Sequence, residues 1–180
     1  MIFMDRNLFL VNSLFLVIWF CPSVYPSYSQ TVVMDTTMNK QVLIGKVNLS
    51  AFSDSAWFKD QDPLDSLGNV CKIQIDSFSQ NINIKVYFGS WCSDSHHWLP
   101  YSVKLLGGTN LFNRVEFIGL PKDLIMRDSI APEMSITRVP TFIFYRNEKE
   151  VGRIIENPEG HFASDLINIL RSSIHSDKGN

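Results

Sequence analysis

The sequence predicts an α/β fold in which a central mixed sheet is flanked by helices, with a helical extension at the N-terminus. Two observations predict this fold class. The stretch Asn81–Phe88 alternates and then becomes apolar, as a strand does when it enters the middle of a sheet, and a helical pattern over Ser95–Leu106 follows it. Two strand-like runs, Thr141–Tyr145 and Val151–Ile155, then flank a polar stretch and precede another helical pattern.

The helix predicted over Ser95–Leu106 has a clear end and one apolar face. Gly107-Gly108 is expected to end it, because glycine readily adopts the backbone conformation of a helix C-cap. Pro100 lies near the first turn, so we expect it to kink the helix and not to abolish it. The residues of the apolar face are Leu99, Val103 and Leu106.

The second half of the predicted fold continues the alternation of strands and helices. Val115–Leu120 is predicted to be a strand, and a short helix interrupted by Pro132 is expected between residues 122 and 134. The polar stretch Arg146–Lys149 is predicted to be the turn of a β-hairpin. Asn157-Pro158 is typical of a helix start, with the asparagine as cap. The apolar face of that last helix comprises Phe162, Leu166, Ile169, Leu170 and Ile174.

The N-terminal residues 1–29 are predicted to be a signal peptide. A short apolar run, Leu8–Phe20, is followed by the small residues Ser27 and Ser29, so cleavage is expected before Gln30. An uncleaved membrane anchor is the alternative, although the run is shorter than the ~20 residues of a membrane span. The mature protein is therefore expected outside the cytoplasm, in a periplasm or secreted.

Residues 30–80 are predicted to form a helical extension that packs on a core domain of residues 81–180. Asp62-Pro63 is expected to interrupt this extension. The stretch 64–75 fits both a helix and a strand, and we favour the helix. The apolar residues that fall on one helical face before the interruption are Leu49, Phe52, Ala56 and Trp57.

Composition and charge narrow the class of function. The hydrophobic fraction of 45% is enough for a packed core. The net charge of −2 and a pI near 6.1 exclude the basic surface of a nucleic-acid-binding protein. Without the signal peptide, Cys71 and Cys92 remain. They could form one structural disulfide, or they could be a reactive thiol and a bystander.

Cys92 is the candidate reactive residue, because it lies where a buried strand is predicted to end and a helix to begin. A thiol at a helix N-terminus ionises more readily to the nucleophilic thiolate. The alternative is that Cys92 is a small buried apolar residue. Asp94, His96 and His97 suggest a copper or zinc site beside it. Neighbouring histidines on a helix point to different faces, however, so we expect no metal site. We expect no organic cofactor either.

Three features around Cys92 resemble the thioredoxin family. Trp91-Cys92 opens the predicted helix, Pro100 follows eight residues later, and Val139-Pro140 precedes a strand. The resemblance extends from about Asn81 to the C-terminus and implies a thioredoxin-like fold, with the order β-α-β-α-β-β-α. It also implies that Pro140 is cis and faces Cys92, and that Trp91, Val139 and Pro140 form the substrate-binding platform.

The sequence departs from the family motif Trp-Cys-x-x-Cys at Ser95, which stands where the second cysteine belongs. Ser95 is either the remnant of a lost dithiol site or a hydrogen-bond donor that stabilises the Cys92 thiolate. In both cases a mixed disulfide on Cys92 needs a second thiol from a partner, a small molecule or Cys71. Val86 stands where many thioredoxins carry a buried acidic residue that helps to move protons, which argues against efficient dithiol catalysis.

The sequence therefore predicts an exported thioredoxin-like protein that uses the single thiol of Cys92, with Ser95, in thiol–disulfide exchange or redox sensing. Its partners would be protein thiols and disulfides or small-molecule thiols. Nucleic acid is not among the expected partners, and a membrane is expected only if the signal is uncleaved. The alternative is a redox-inactive docking module with the same fold, in which Cys92 is incidental.

Overall fold

The computed structural model describes residues 31–35, 39–59, 66–123, 128–132 and 134–176, and the predicted signal peptide lies outside them. The described strands are β1 (Thr31–Asp35), β2 (Lys40–Val47), β3 (Ile82–Phe88), β4 (Val115–Gly119), β5 (Thr141–Arg146) and β6 (Lys149–Ile155). The described helices are α1 (Ala56–Lys59), α2 (Ser66–Phe78), α3 (Ser93–Leu106) and α4 (Phe162–Ser176), with 3₁₀ turns at Leu49–Ala51 and Phe112–Arg114.

The six strands form one mixed sheet in the order β1-β2-β4-β3-β5-β6. The central strands β3 and β4 are parallel and are connected through α3, whereas every other neighbouring pair is antiparallel. Helical residues 128–130 lie between β4 and β5, and the hairpin β5-β6 leads into α4. This order confirms the predicted fold class, a thioredoxin-like mixed sheet flanked by helices.

Side chains of the central strands alternate between two apolar clusters, because successive residues of a strand point to opposite faces of the sheet. The larger cluster includes Val86 and Phe88 of β3 and is covered by α3 and α4. The smaller cluster includes Tyr87 and lies against the segment that connects β4 to β5. The turn that follows β3 therefore emerges at the border of the two clusters.

The prediction that the N-terminal extension is helical is correct for only part of it. Its first part forms β1 and β2, and β2 pairs with β4, so the sheet includes residues on both sides of position 80. Both strands contain valine, with threonine in β1 and isoleucine in β2, and these β-branched residues favour a pleated sheet. The ambiguous stretch is helical where it is described, since α2 covers Ser66–Phe78. The domain boundary at residue 80 stays a prediction.

Two other predicted boundaries are wrong. The hairpin turn consists of Asn147 and Glu148 alone, with φ of 49° and 65°, as a two-residue turn of type I′ requires. Arg146 consequently belongs to β5, where it is buried. The last helix begins at Phe162 and not at Asn157, whose side chain instead accepts a hydrogen bond from Trp98 Nε1 at 3.0 Å. Within the described residues, no helix has the length and apolar character that crossing a membrane requires.

Candidate functional site

The turn between β3 and α3 places Cys92 at the N-terminus of α3. The N–H of Cys92 donates to Gly89 O at 3.0 Å, and Cys92 O accepts from His96 N at 3.0 Å as the first helical hydrogen bond. Cys92 is thus the N-cap residue, with an extended backbone, and its side chain makes no capping hydrogen bond. The half-buried free thiol therefore lies at the positive end of the helix dipole.

Val139 and Pro140 lie beside Cys92, as the resemblance implies. The peptide bond between them is cis. Cys92 Sγ donates a hydrogen bond to Val139 O at a distance of 3.3 Å. Two segments that are 47 positions apart in the sequence thus meet at the thiol.

Trp91 forms a fixed wall of the site. Its Nε1–H donates to Leu120 O at 2.9 Å, which holds the indole along the end of β4. The ring also covers Gly89, where a Cβ atom would lie 2.6 Å from Trp91 Cε2, so only glycine leaves room for it. Half-buried, Trp91 packs with Cys92 against the smaller apolar cluster.

Ser95 is fully buried, in contrast to the half-buried Cys92. Its Oγ accepts a hydrogen bond from Gly89 N at 3.2 Å, which ties the start of the turn to the first turn of α3. Among the described residues there is no hydrogen bond between Ser95 and Cys92. The structure therefore gives Ser95 a role in holding the turn, on the core side of the thiol.

The loop that contains Pro140 is held by contacts that the sequence did not indicate. Glu156 N–H donates to Pro140 O at 2.7 Å. Arg138 Nη1 donates to Glu156 Oε2 at 2.7 Å, and Thr141 Oγ1 donates to Arg138 O at 2.7 Å. The two contacts of Glu156 join segments that are distant in the sequence, so no motif or spacing could have revealed them.

The two neighbouring histidines face different elements. The His96 ring stacks on Trp57 of α1, with ring centroids 4.4 Å apart, whereas the His97 ring lies edge-on to Trp98 at 4.6 Å. They do not converge with Cys92 on one point. No group of three or more histidine, cysteine, aspartate or glutamate side chains is arranged to hold a metal ion in the part of the chain that the structure describes.

Cys71 is too far from Cys92 to form a disulfide with it. Cys71 lies in α2 and packs against the larger cluster, whereas Cys92 packs against the smaller one. The neighbouring Lys72 Nζ donates to Gly107 O, just beyond the C-terminal end of α3. Cys92 lies at the other end of this 14-residue helix, which is about 21 Å long. A disulfide requires Cα atoms within about 7 Å of each other, and both thiols are free.

The last residues of β3 supply no base for the thiol. Val86 is fully buried and apolar. Burial, together with the neighbouring Tyr145 and Glu116, raises the pKa of Tyr87 to about 12. Tyr87 is therefore protonated and uncharged at neutral pH. Neither Val86 nor Tyr87 can therefore accept the proton that leaves Cys92.

No protein-family model and no curated protein sequence matches the chain. Among solved structures, the chain is similar to a thioredoxin from Fasciola hepatica, at 24% identity over 58% of this chain and 88% of that one, with a TM-score of 0.34. It is also similar to mitochondrial thioredoxin 3 from Saccharomyces cerevisiae, at 20% identity over 67% and 99% of the two chains and a TM-score of 0.34. Thioredoxin f2 from Chlamydomonas reinhardtii is 17% identical over 61% and 94%, with a TM-score of 0.34.

Proposed function

We propose that the protein carries out thiol–disulfide exchange or redox sensing through the single thiol of Cys92. One observation carries this proposal: a half-exposed thiol at the N-terminus of α3 lies 3.3 Å from the backbone oxygen of Val139, beside the cis peptide bond to Pro140. A helix N-terminus favours the thiolate, which is the nucleophilic form of cysteine.

The reaction has two steps. The Cys92 thiolate attacks one sulfur of a partner disulfide, forms a mixed disulfide with it, and releases the other sulfur as a thiolate. A second thiolate then attacks the partner's sulfur in the mixed disulfide, forms a new disulfide with it, and releases Cys92 as a thiolate. Ser95 has no sulfur and Cys71 is out of reach, so the second thiolate comes from outside the described part of the chain.

The partners we propose are protein disulfides and thiols, and small-molecule thiols. Cys92 is half-buried beside Trp91, so part of its side chain is accessible to a partner. Within the described residues, the N–H of Val139 has no hydrogen-bond partner. We propose that it pairs with the backbone of a partner, with Trp91 and Pro140 completing the contact surface around the thiol.

Selective modification of Cys92 tests this proposal. When the mature protein is incubated with oxidised glutathione, we expect Cys92 to be modified at least about tenfold faster than Cys71, because only Cys92 lies at a helix N-terminus. Peptide mapping by mass spectrometry locates the adduct. Cys92→Ser should abolish the fast adduct, and the matched variant Cys71→Ser should retain it.

Two results would contradict the proposal in different ways. A fast adduct that persists in Cys92→Ser would place the reactive thiol elsewhere. If Cys92 reacts no faster than Cys71, the thiol is incidental and the redox-inactive docking module becomes the better description of the protein.

We further propose that the chain is exported, on the basis of the apolar run Leu8–Phe20 and the small residues Ser27 and Ser29. Export would place Cys92 in an oxidising compartment, where disulfides persist as substrates. Protein recovered from outside the cytoplasm should begin at or near Gln30 when its N-terminus is sequenced. An intact Met1 on cytoplasmic protein would disprove export.

A further inference from the structure

His96 is held in one orientation by two contacts. Its Nε2 lies 2.8 Å from the backbone oxygen of Ser90. A carbonyl oxygen can only accept a hydrogen bond, so Nε2 carries the hydrogen and donates it. The imidazole also stacks on the indole of Trp57, with an angle of 14° between the ring planes.

Ser90, the acceptor of that bond, lies in the turn that ends at Cys92. A second contact holds it from the opposite side, because Leu43 N–H of β2 donates to Ser90 Oγ at 3.0 Å. The turn is thus fixed between β2 and the first turn of α3. His96 supplies the contact on the α3 side, and α1 supports its ring through Trp57.

From these contacts we propose that His96 is a positioning residue for Cys92. This inference rests on the proposed thiol–disulfide exchange. Through Ser90 O, His96 fixes the turn and with it the direction from which Cys92 Sγ meets a disulfide placed beside Val139. Attack on a disulfide requires the three sulfur atoms to be nearly in line, so a change in the path of the turn lowers the rate even when the thiol stays exposed.

His96 is not itself a residue of the apolar core, although the Trp57 ring on which it stacks packs against the larger cluster. The side chain of His96 is partly exposed and belongs to neither apolar cluster. Its ring contacts Trp57 of α1 and the backbone oxygen of Ser90, in the turn that ends at Cys92. The N-terminal part of the chain, through β2 and α1, thereby takes part in shaping the candidate site.

Two substitutions separate the hydrogen bond from the ring. In His96→Gln, the amide Nε2 occupies nearly the position of the imidazole Nε2 and can donate to Ser90 O, whereas the ring is lost. In His96→Phe, the ring can still stack on Trp57, whereas the donor is lost. Trp57→Leu keeps His96 but removes the support of its ring.

Each variant is reacted with two probes that differ in their geometric demands. Oxidised glutathione requires in-line attack on a disulfide beside Val139, whereas iodoacetamide is small and reaches an exposed thiol from any open direction. For His96→Phe we expect about a tenfold slower reaction with oxidised glutathione and a change within about twofold for iodoacetamide, since misplacement by an ångström or less is costly only to oriented reactions. His96→Gln should restore the reaction with oxidised glutathione to near the wild-type rate, and Trp57→Leu should give an intermediate rate.

If His96→Phe reacts with oxidised glutathione as fast as the wild type, His96 does not position Cys92 and the proposed function still stands. The same conclusion follows if His96→Gln and His96→Phe are equally impaired and both have a lowered Tm. If the wild type itself does not react with oxidised glutathione, the proposed function fails and this inference fails with it. Should His96→Phe not fold, a Trp57→Leu variant that reacts with oxidised glutathione as fast as the wild type would overturn the inference.

Discussion

Ser95→Cys should convert the single thiol into a dithiol site that closes a disulfide with Cys92. The N-cap residue and the third residue of a helix are close neighbours, and Cα atoms three residues apart lie about 5–6 Å from each other, within the range that a disulfide bridges. The new thiol would be buried, because Ser95 is fully buried, while Cys92 stays accessible to a partner. An accessible attacking thiol and a protected resolving thiol together complete a dithiol cycle.

The variant is expected to reduce insulin, with a chemical reductant as electron source, at least about tenfold faster than the wild type, because the second step becomes intramolecular. The rate should remain modest, since Val86 provides no group for proton transfer. Ser102→Cys is the matched control. Ser102 is also buried in α3, but it lies ten residues, or about 15 Å, from Cys92 and should give no disulfide and no gain. If mildly oxidised Ser95→Cys keeps both thiols free by mass spectrometry, the dithiol geometry is absent.

Arg146→Met should lower the free energy of unfolding by about 4 kcal/mol, since buried partners of a charged donor would lose their hydrogen bonds. The guanidinium donates to Gln80 O at 2.6 Å and Phe78 O at 2.7 Å, both of which follow or end α2. It also donates to Ser173 Oγ at 2.9 Å in α4. One side chain at the end of β5 thus joins two helices to the sheet, and methionine can fill the space but cannot donate.

Urea unfolding of the wild type and the variant measures this effect. Arg171→Met is the matched control, because Arg171 lies in the same region on the exposed side of α4 and its guanidinium contacts only the Phe78 ring among the described residues, at 5.4 Å. It should cost no more than about 1 kcal/mol. Equal losses for the two variants would show that the buried hydrogen bonds of Arg146 do not contribute specially to stability.

Elements of the fold could be predicted where burial imposes a period on the sequence. β3 and α3 were predicted to within two residues, because β3 alternates between two clusters and α3 presents one apolar face. β1 and β2 were not predicted as strands, since β1 exposes Val32 and Met34 and so gives no alternation of polar and apolar residues. Arg146 was placed in a turn because arginine is usually exposed, and only the tertiary contacts of its guanidinium show why it is buried.

Some residues of the candidate site could likewise be predicted from the sequence, and others could not. Trp91, Cys92, Val139 and Pro140 carry a family resemblance in their residue types and spacing, and the structure brings them together. The contact between Ser90 and Leu43 could not be predicted from the sequence. It uses the backbone N–H of Leu43, and every residue except proline has such a group. His96 was considered as a metal ligand, and its contact with the turn depends on an orientation that sequence spacing does not specify.

The distance between Cys71 and Cys92 has a consequence for kinetics under the proposed chemistry. Release of a mixed disulfide would be a second-order process, so its half-life would be inversely proportional to the concentration of thiols in the surroundings. In a compartment poor in thiols, an adduct on Cys92 would persist, and the partner would stay joined to Cys92 by the mixed disulfide. In a compartment rich in thiols, the same adduct would turn over quickly. The lifetime of the adduct would then report the local thiol concentration, which a protein with an internal resolving thiol cannot do.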